Sequence, residues 1–146
     1  MSTALVTGAA RGIGRATVEA LAAAGWRVVA GVRDASGVEF SSDRIEVIEL
    51  DVVDPESVRA GVARAEQIAG GALDAVVSNA GHAMMAPVEH LDLDVVREMF
   101  EVNTFGAIAV VQAALPAMRT AGRGHIIFVS TVGVHLYTPF LSAYRA

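Results

Sequence analysis

Five short apolar runs alternating with helical patterns constrain this chain more than any other feature. They are Ala4-Leu5-Val6, Val28-Val29-Ala30-Gly31-Val32, Ile45 to Leu50, Ala75-Val76-Val77 and His125 to Val129. Alternation of this kind specifies β-α-β units and hence a parallel sheet buried on both faces. Right-handed crossovers then predict a doubly wound, Rossmann-like α/β fold with strand order 3-2-1-4-5 and a ligand crevice between the first and fourth strands. The helix ends are legible too: Gly25 stops the first helix, Asp54-Pro55-Glu56 opens another and Gly70-Gly71 closes it. A longer helical region is expected from about Asp92 to Met118, kinked near Pro116. With no linker or repeat, residues 1–146 read as a single domain.

Between the first run and the alanine-rich pattern that follows lies Thr7-Gly8-Ala9-Ala10-Arg11-Gly12-Ile13-Gly14, with glycines spaced G-x-x-x-G-x-G. A loop at a strand's carboxyl end admits a pyrophosphate only where Cβ atoms are missing. The N–H groups opening the next helix then point at the anion. The second strand ends about twenty residues later, where an acidic residue would accept from the ribose 2′-hydroxyl of NAD(H). Here Val32-Arg33 stands there instead. A guanidinium fork suits a 2′-phosphate, and Arg11 adds a second positive charge, so NADP(H) is expected over NAD(H). The other reading of Arg33 is a solvated charge pairing with Asp34. Asp51, at the third strand's end, offers a carboxylate to an adenine amine. Asn79-Ala80-Gly81, at the fourth, offers small residues beside a ribose or nicotinamide. Local turn and capping roles are the alternatives for Asp51 and Asn79.

Together these residues resemble the short-chain dehydrogenase/reductase family in its ordinary, non-extended form. Thr7 to Gly14 resembles its T-G-x-x-x-G-x-G loop, Asp51-Val52 its adenine-side pair, Asn79-Ala80-Gly81 its N-A-G strand end and Asn103 its helix-interrupting catalytic asparagine. The resemblance implies hydride transfer between NADP(H) and a small-molecule carbonyl or alcohol. Cofactor contacts are expected at Thr7, Gly8, Arg11, Gly12, Ile13, Gly14, Arg33, Asp51, Val52, Asn79, Ala80 and Gly81. It further implies a catalytic tyrosine with a serine thirteen residues before it and a lysine four after. Counting back from Tyr144 reaches Thr131, next to Ser130, and Pro139 supports that register over one based on Tyr137. Tyr144 is thus the expected acid/base, Asn103 and Thr131 its catalytic partners, and Ser130 and Thr131 the substrate-side hydroxyls. The lysine would be residue 148, whereas the chain ends at Ala146 and contains no lysine. The expectation is a chain truncated before the catalytic lysine and inactive alone, or a short relic, with a homo-oligomer in the full-length form.

Composition excludes several other classes. A net charge of −5 with eleven singly scattered arginines argues against nucleic acid as a partner. The absence of cysteine removes thiolate chemistry and disulfides, in keeping with a cytoplasmic protein. His82, His90, His125 and His135 lack metal-ligand spacing, so no metal is expected. Ala107 to Met118, the longest apolar stretch, is interrupted by Gln112 and Pro116 and is too short to span a bilayer, so no membrane association is expected. No signal peptide is expected ahead of a strand that begins within three residues.

Overall fold

The computed structural model describes residues 1–136 and 138–145. Five parallel strands form one sheet: β1 (Thr3–Thr7), β2 (Arg27–Val32), β3 (Ile45–Glu49), β4 (Ala75–Ser78) and β5 (His125–Phe128). Their order is β3-β2-β1-β4-β5, as the alternation of runs predicts. The helices are α1 (Gly12–Ala23), α2 (Pro55–Ala69), α3 (Leu93–Phe100), α4 (Ala107–Ala121) and the short α5 (Ser142–Arg145).

Side chains of successive strand residues alternate between faces, and the two faces build two apolar clusters. Leu5, Val29 and Val76 pack with Val58, Val62 and Ala65 of α2 and with Val110, Ala114 and Met118 of α4. Val6, Val28, Ala30 and Val77 pack on the other face with Val18 and Ala22 of α1. Leu5, fully buried at the centre, contributes about 2 kcal/mol by its removal from water. Asp54 caps α2 by accepting from the Glu56 N–H at 3.0 Å, and Gly70 ends that helix in the left-handed region at φ 72°.

Three features depart from the sequence reading. The connection from β2 to β3, residues 33–44, contains no helix; Asp34 turns back on Ser36 there and Gly37 takes φ +71°. The long helical region changes geometry upstream of its proline. Glu101–Gly106 forms a π turn between α3 and α4, whereas α4 continues through Pro116 to Ala121. The whole run Leu93–Ala121 is therefore 29 residues, long and apolar enough to cross a membrane by length and composition, which corrects the shorter estimate from Ala107 to Met118. One side of that run is nonetheless core, through Val110, Ala114 and Met118. At the far edge β5 pairs, among the described residues, only with β4 and leaves Ile127 and Phe128 exposed.

Candidate functional site

The glycine loop follows β1 at the carboxyl edge of the sheet. Gly8 has φ +65°, and a Cβ on it would lie 2.8 Å from Ala80 Cα. A Cβ on Gly14 would lie 2.3 Å from the Gly8 carbonyl oxygen and 2.5 Å from Asn79 Nδ2. These approaches bring loop, helix and β4 into one compact cradle. Arg11, the N-cap of α1, is extended and gives no side-chain hydrogen bond to the first turn. Its helix therefore opens with N–H groups that its N-cap side chain does not satisfy, next to Gly12, where a Cβ would point into open space. Both features fit a pyrophosphate.

Thr7 and Asn79 hold this cradle from behind. Thr7 is fully buried, and its Oγ1 accepts from the backbone N–H groups of Asn79 and Ala80, both at 3.0 Å. Asn79 Nδ2 donates to the carbonyls of Thr7 at 2.9 Å and Gly8 at 3.2 Å. The side chains of Thr7 and Asn79 thus shape the loop. Ala10, Arg11, Gly12 and Ile13 are the loop residues exposed on its surface.

At the end of β2, Arg33 is exposed and makes no ion pair with Asp34. The Asp34 carboxylate instead accepts from the Ser36 hydroxyl at 2.6 Å and its N–H at 2.8 Å. Those hydrogen bonds hold its pKa below the ordinary range, with Arg33 the smallest contributor. Among the described residues neither Arg11 nor Arg33 has a hydrogen-bonding or ion-pair partner through its guanidinium. Arg15, which the sequence reading passed over, lies 4.5 Å over the Phe40 ring and donates to the Glu39 carbonyl at 2.8 Å. It ties the β2–β3 connection to α1. Its pairing with Glu19 at i+4 was visible in sequence, but its long-range partners were not.

At β3, Asp51 Oδ1 accepts from the Val53 N–H at 3.1 Å in a local turn. Its other carboxylate oxygen makes no hydrogen bond among the described residues. Val52 is buried, and a Cβ on Gly106 would meet its Cγ2 at 2.8 Å, so its side chain packs against the π turn. Three residues before Gly106, Asn103 exchanges two hydrogen bonds with the backbone of His82. Asn103 Oδ1 accepts from the His82 N–H at 3.0 Å and Nδ2 donates to its carbonyl at 2.8 Å. The π turn thus fixes the chain leaving Ala80 and Gly81, and His82 enters the site without any periodic signal in the sequence.

Thr131 follows β5. Its Oγ1 accepts from the Gly133 N–H at 3.1 Å and caps a short 3-10 turn, Val132–Val134, which leaves the hydroxyl hydrogen available to donate. Ser130 is exposed. Tyr144 is half-buried in α5, and its hydroxyl has no hydrogen-bond partner among the described residues. No hydrogen bond among the described residues joins Tyr144, Thr131 and Asn103 to one another. Tyr137 lies outside the described residues. Before Tyr144, Phe140 adopts φ 68°, and its carbonyl accepts from the Ala86 N–H at 3.0 Å, which joins the loop after β4 to the segment after β5. Among the described residues, no three His, Cys, Asp or Glu side chains are placed to hold a metal ion.

Comparison with known proteins agrees with this geometry. A family model described as short chain dehydrogenase matches residues 2–146. The chain is 35% identical over 146 residues to Oxidoreductase BOA17 of Botryotinia fuckeliana, covering 97% of this chain and 53% of that protein. It is 36% identical over 142 residues to Retinol dehydrogenase 8 of Bos taurus, covering 89% and 44%. The crystal structure of a short-chain dehydrogenase from Streptomyces avermitilis superposes with a TM-score of 0.90 at 34% identity, covering 99% of this chain and 54% of that one. The chain thus spans about half the length of these relatives. A match over almost every residue here, on a sheet ordered 3-2-1-4-5 around a glycine cradle, means that the chain belongs to the short-chain dehydrogenase family.

Proposed function

We propose that this chain carries the cofactor-binding part of an NADP(H)-dependent oxidoreductase that interconverts a carbonyl compound and its alcohol. The observation that carries the cofactor choice is the pair Arg11 and Arg33, both exposed and unpaired among the described residues, while the neighbouring Asp34 carboxylate is held by Ser36. Two free guanidinium groups favour a 2′-phosphate, and a carboxylate turned into its own loop does not oppose it.

In this reading the loop from Gly8 to Gly14 holds the pyrophosphate, and Arg11 and Arg33 bind the 2′-phosphate. The free oxygen of Asp51 accepts from the adenine amine, and Ala80 and Gly81 leave room for the ribose. Bound nicotinamide supplies the hydride donor or acceptor. The Tyr144 phenol gives its proton to the carbonyl oxygen, or takes one from the alcohol in reverse. The Thr131 hydroxyl, already accepting from Gly133, donates its hydrogen to that same substrate oxygen. Asn103 acts as a positioning residue by fixing His82. One relative bears the name retinol dehydrogenase, which makes a retinoid alcohol a natural first substrate to try.

A second reading, a non-catalytic NADP(H)-binding module, is favoured by one observation. A phenol with a pKa near 10 needs neighbouring positive charge to work at neutral pH, and these 146 residues contain no lysine. Fluorescence titrations with NADPH and NADH, followed by turnover assays on aldehydes and ketones, test both readings. NADPH is expected to bind about tenfold more tightly than NADH. Equal affinities overturn the NADP(H) assignment. Turnover by these residues overturns the module.

A further inference from the structure

The carboxyl edge of the sheet divides into two halves of different character. Around β1, β2 and β3 it carries Arg11, Arg33, Asp34 and Asp51. The other half is formed by the segments leaving β4 and β5, which are parallel neighbours with Ser78 opposite Phe128. From Ala75 to Val88, and again from Ile126 to Tyr144, there is not one Asp, Glu, Arg or Lys. Arg145, immediately beyond, is already engaged in an interaction of its own.

Large apolar side chains occupy this uncharged half and face solvent. Met85 is 62% exposed, Val132 68%, Val134 51%, Leu136 53% and Phe140 56%. Phe140 is the most informative of them. A bulky aromatic residue at φ 68° is a genuine backbone outlier, and outliers of this kind persist where the surrounding structure enforces them. The hydrogen bond from the Ala86 N–H to its carbonyl supplies that enforcement, one residue from Met85. The fold therefore holds an exposed phenyl ring in an unfavourable backbone conformation beside an exposed, adaptable thioether.

We infer that these residues form the substrate wall, that Met85 and Phe140 determine specificity, and that the substrate is an uncharged carbonyl or alcohol with an apolar body. This rests on the oxidoreductase reading above, since it places the substrate beside Thr131 and Tyr144. An anionic substrate entering between these segments would lose its hydration without meeting an arginine or lysine, which is costly. The imidazoles of His82 and His135 are the only groups there able to carry positive charge. An apolar body would instead cover side chains that water now touches, at a gain proportional to the area buried.

The test uses two small ketones of the same skeleton, benzylacetone and its para-carboxylate, with binding read by saturation-transfer NMR on the full chain, with and without NADPH. Benzylacetone is expected to bind at least about tenfold more tightly than its carboxylate. Phe140→Asn removes the ring but keeps a residue that tolerates the left-handed backbone, and Met85→Ser removes the thioether. Each is expected to weaken benzylacetone at least about threefold and to leave NADPH affinity unchanged. Equal binding of the two ketones, binding of neither, or indifference to both substitutions overturns the inference. A parallel NADPH titration separates the two claims. Loss of NADPH binding with the ketone preference intact overturns the cofactor reading alone; the reverse result overturns the substrate wall alone.

Discussion

Asn79 donates to Thr7 twice, through its backbone N–H to Oγ1 at 3.0 Å and through Nδ2 to the carbonyl at 2.9 Å, so the ends of β4 and β1 are locked together directly beneath the glycine loop. Because Thr7 Oγ1 also accepts from the Ala80 N–H, one buried hydroxyl satisfies two backbone donors. Thr7→Val keeps the shape and strands both donors. A loss of about 2–3 kcal/mol is expected, against less than about 1 kcal/mol for Thr7→Ser. Urea unfolding midpoints check this; equal midpoints for the two variants would refute the acceptor role.

Gly14→Ala puts a methyl group 2.3 Å from the Gly8 carbonyl oxygen and 2.5 Å from Asn79 Nδ2. Neither is the loose end of a flexible side chain, so helix α1 must move away from β4. The expected result is a loss of about 2 kcal/mol or more in stability together with loss of NADPH binding. Calorimetric melting and fluorescence titration measure the two effects. A variant that melts and binds as the parent does is incompatible with this packing.

Arg33→Asp replaces an unpaired guanidinium by a carboxylate at the end of β2, able to accept from a ribose 2′-hydroxyl. The ratio of NADH to NADPH affinity should rise about tenfold or more. An unchanged ratio removes Arg33 from the cofactor site.

Asn103 both donates to and accepts from the His82 backbone, which separates its two possible losses. Asn103→Asp keeps the acceptor for the His82 N–H and puts a second acceptor opposite the His82 carbonyl; Asn103→Leu loses both bonds. Each is expected to destabilise by about 1–3 kcal/mol, and amide exchange at His82 should quicken far more in Asn103→Leu. Protection of that amide in the leucine variant would contradict the proposed fixing of the loop.

Burial raises the pKa of Glu66, in α2, and its Oε1 is buried without a hydrogen-bond partner among the described residues. Since the native pKa lies above the unfolded one, stability is fully present below the ordinary glutamate range and is lost as pH rises through the raised native pKa. Glu66→Gln cannot ionise and should be flat across that window. A gain on the order of 0.5 kcal/mol at neutral pH is expected, vanishing in acid. Melting temperatures on both sides of the window decide it, and a parallel pH dependence in parent and variant counts against the burial argument.

The sheet order was legible because each strand is an apolar run bounded by turn residues, and α2 because Asp54, Pro55 and Gly70 mark its ends. The connection between β2 and β3 was not. Its conformation depends on Arg15 reaching Glu39 and Phe40 across 24 and 25 positions of sequence, which no local pattern reports. The glycine loop was recognisable by spacing, yet spacing does not say which members face outward. Thr7 is buried and its hydroxyl is taken up by the backbone of β4, a distinction that needs the burial and the hydrogen bonds. Asn103 was found through family resemblance alone, and its partner His82 was missed because a backbone partner carries no residue signature. Phe140 was invisible for a related reason, since nothing in its residue type hints at a positive φ.

The π turn at Glu101–Gly106 sets a reading frame within a helix. Each residue of an α-helix advances the side-chain direction by about 100°, so Asn103, directed at His82, and Gly106, against Val52, keep their separate partners only while the turn retains its full count of residues. Removing one residue would yield a smoother helix by every local criterion. It would also swing α4 around its axis and turn Val110, Ala114 and Met118 away from α2 and the sheet. A deletion there therefore endangers the site through the core, whereas the same deletion in the loop after β2 could be absorbed locally.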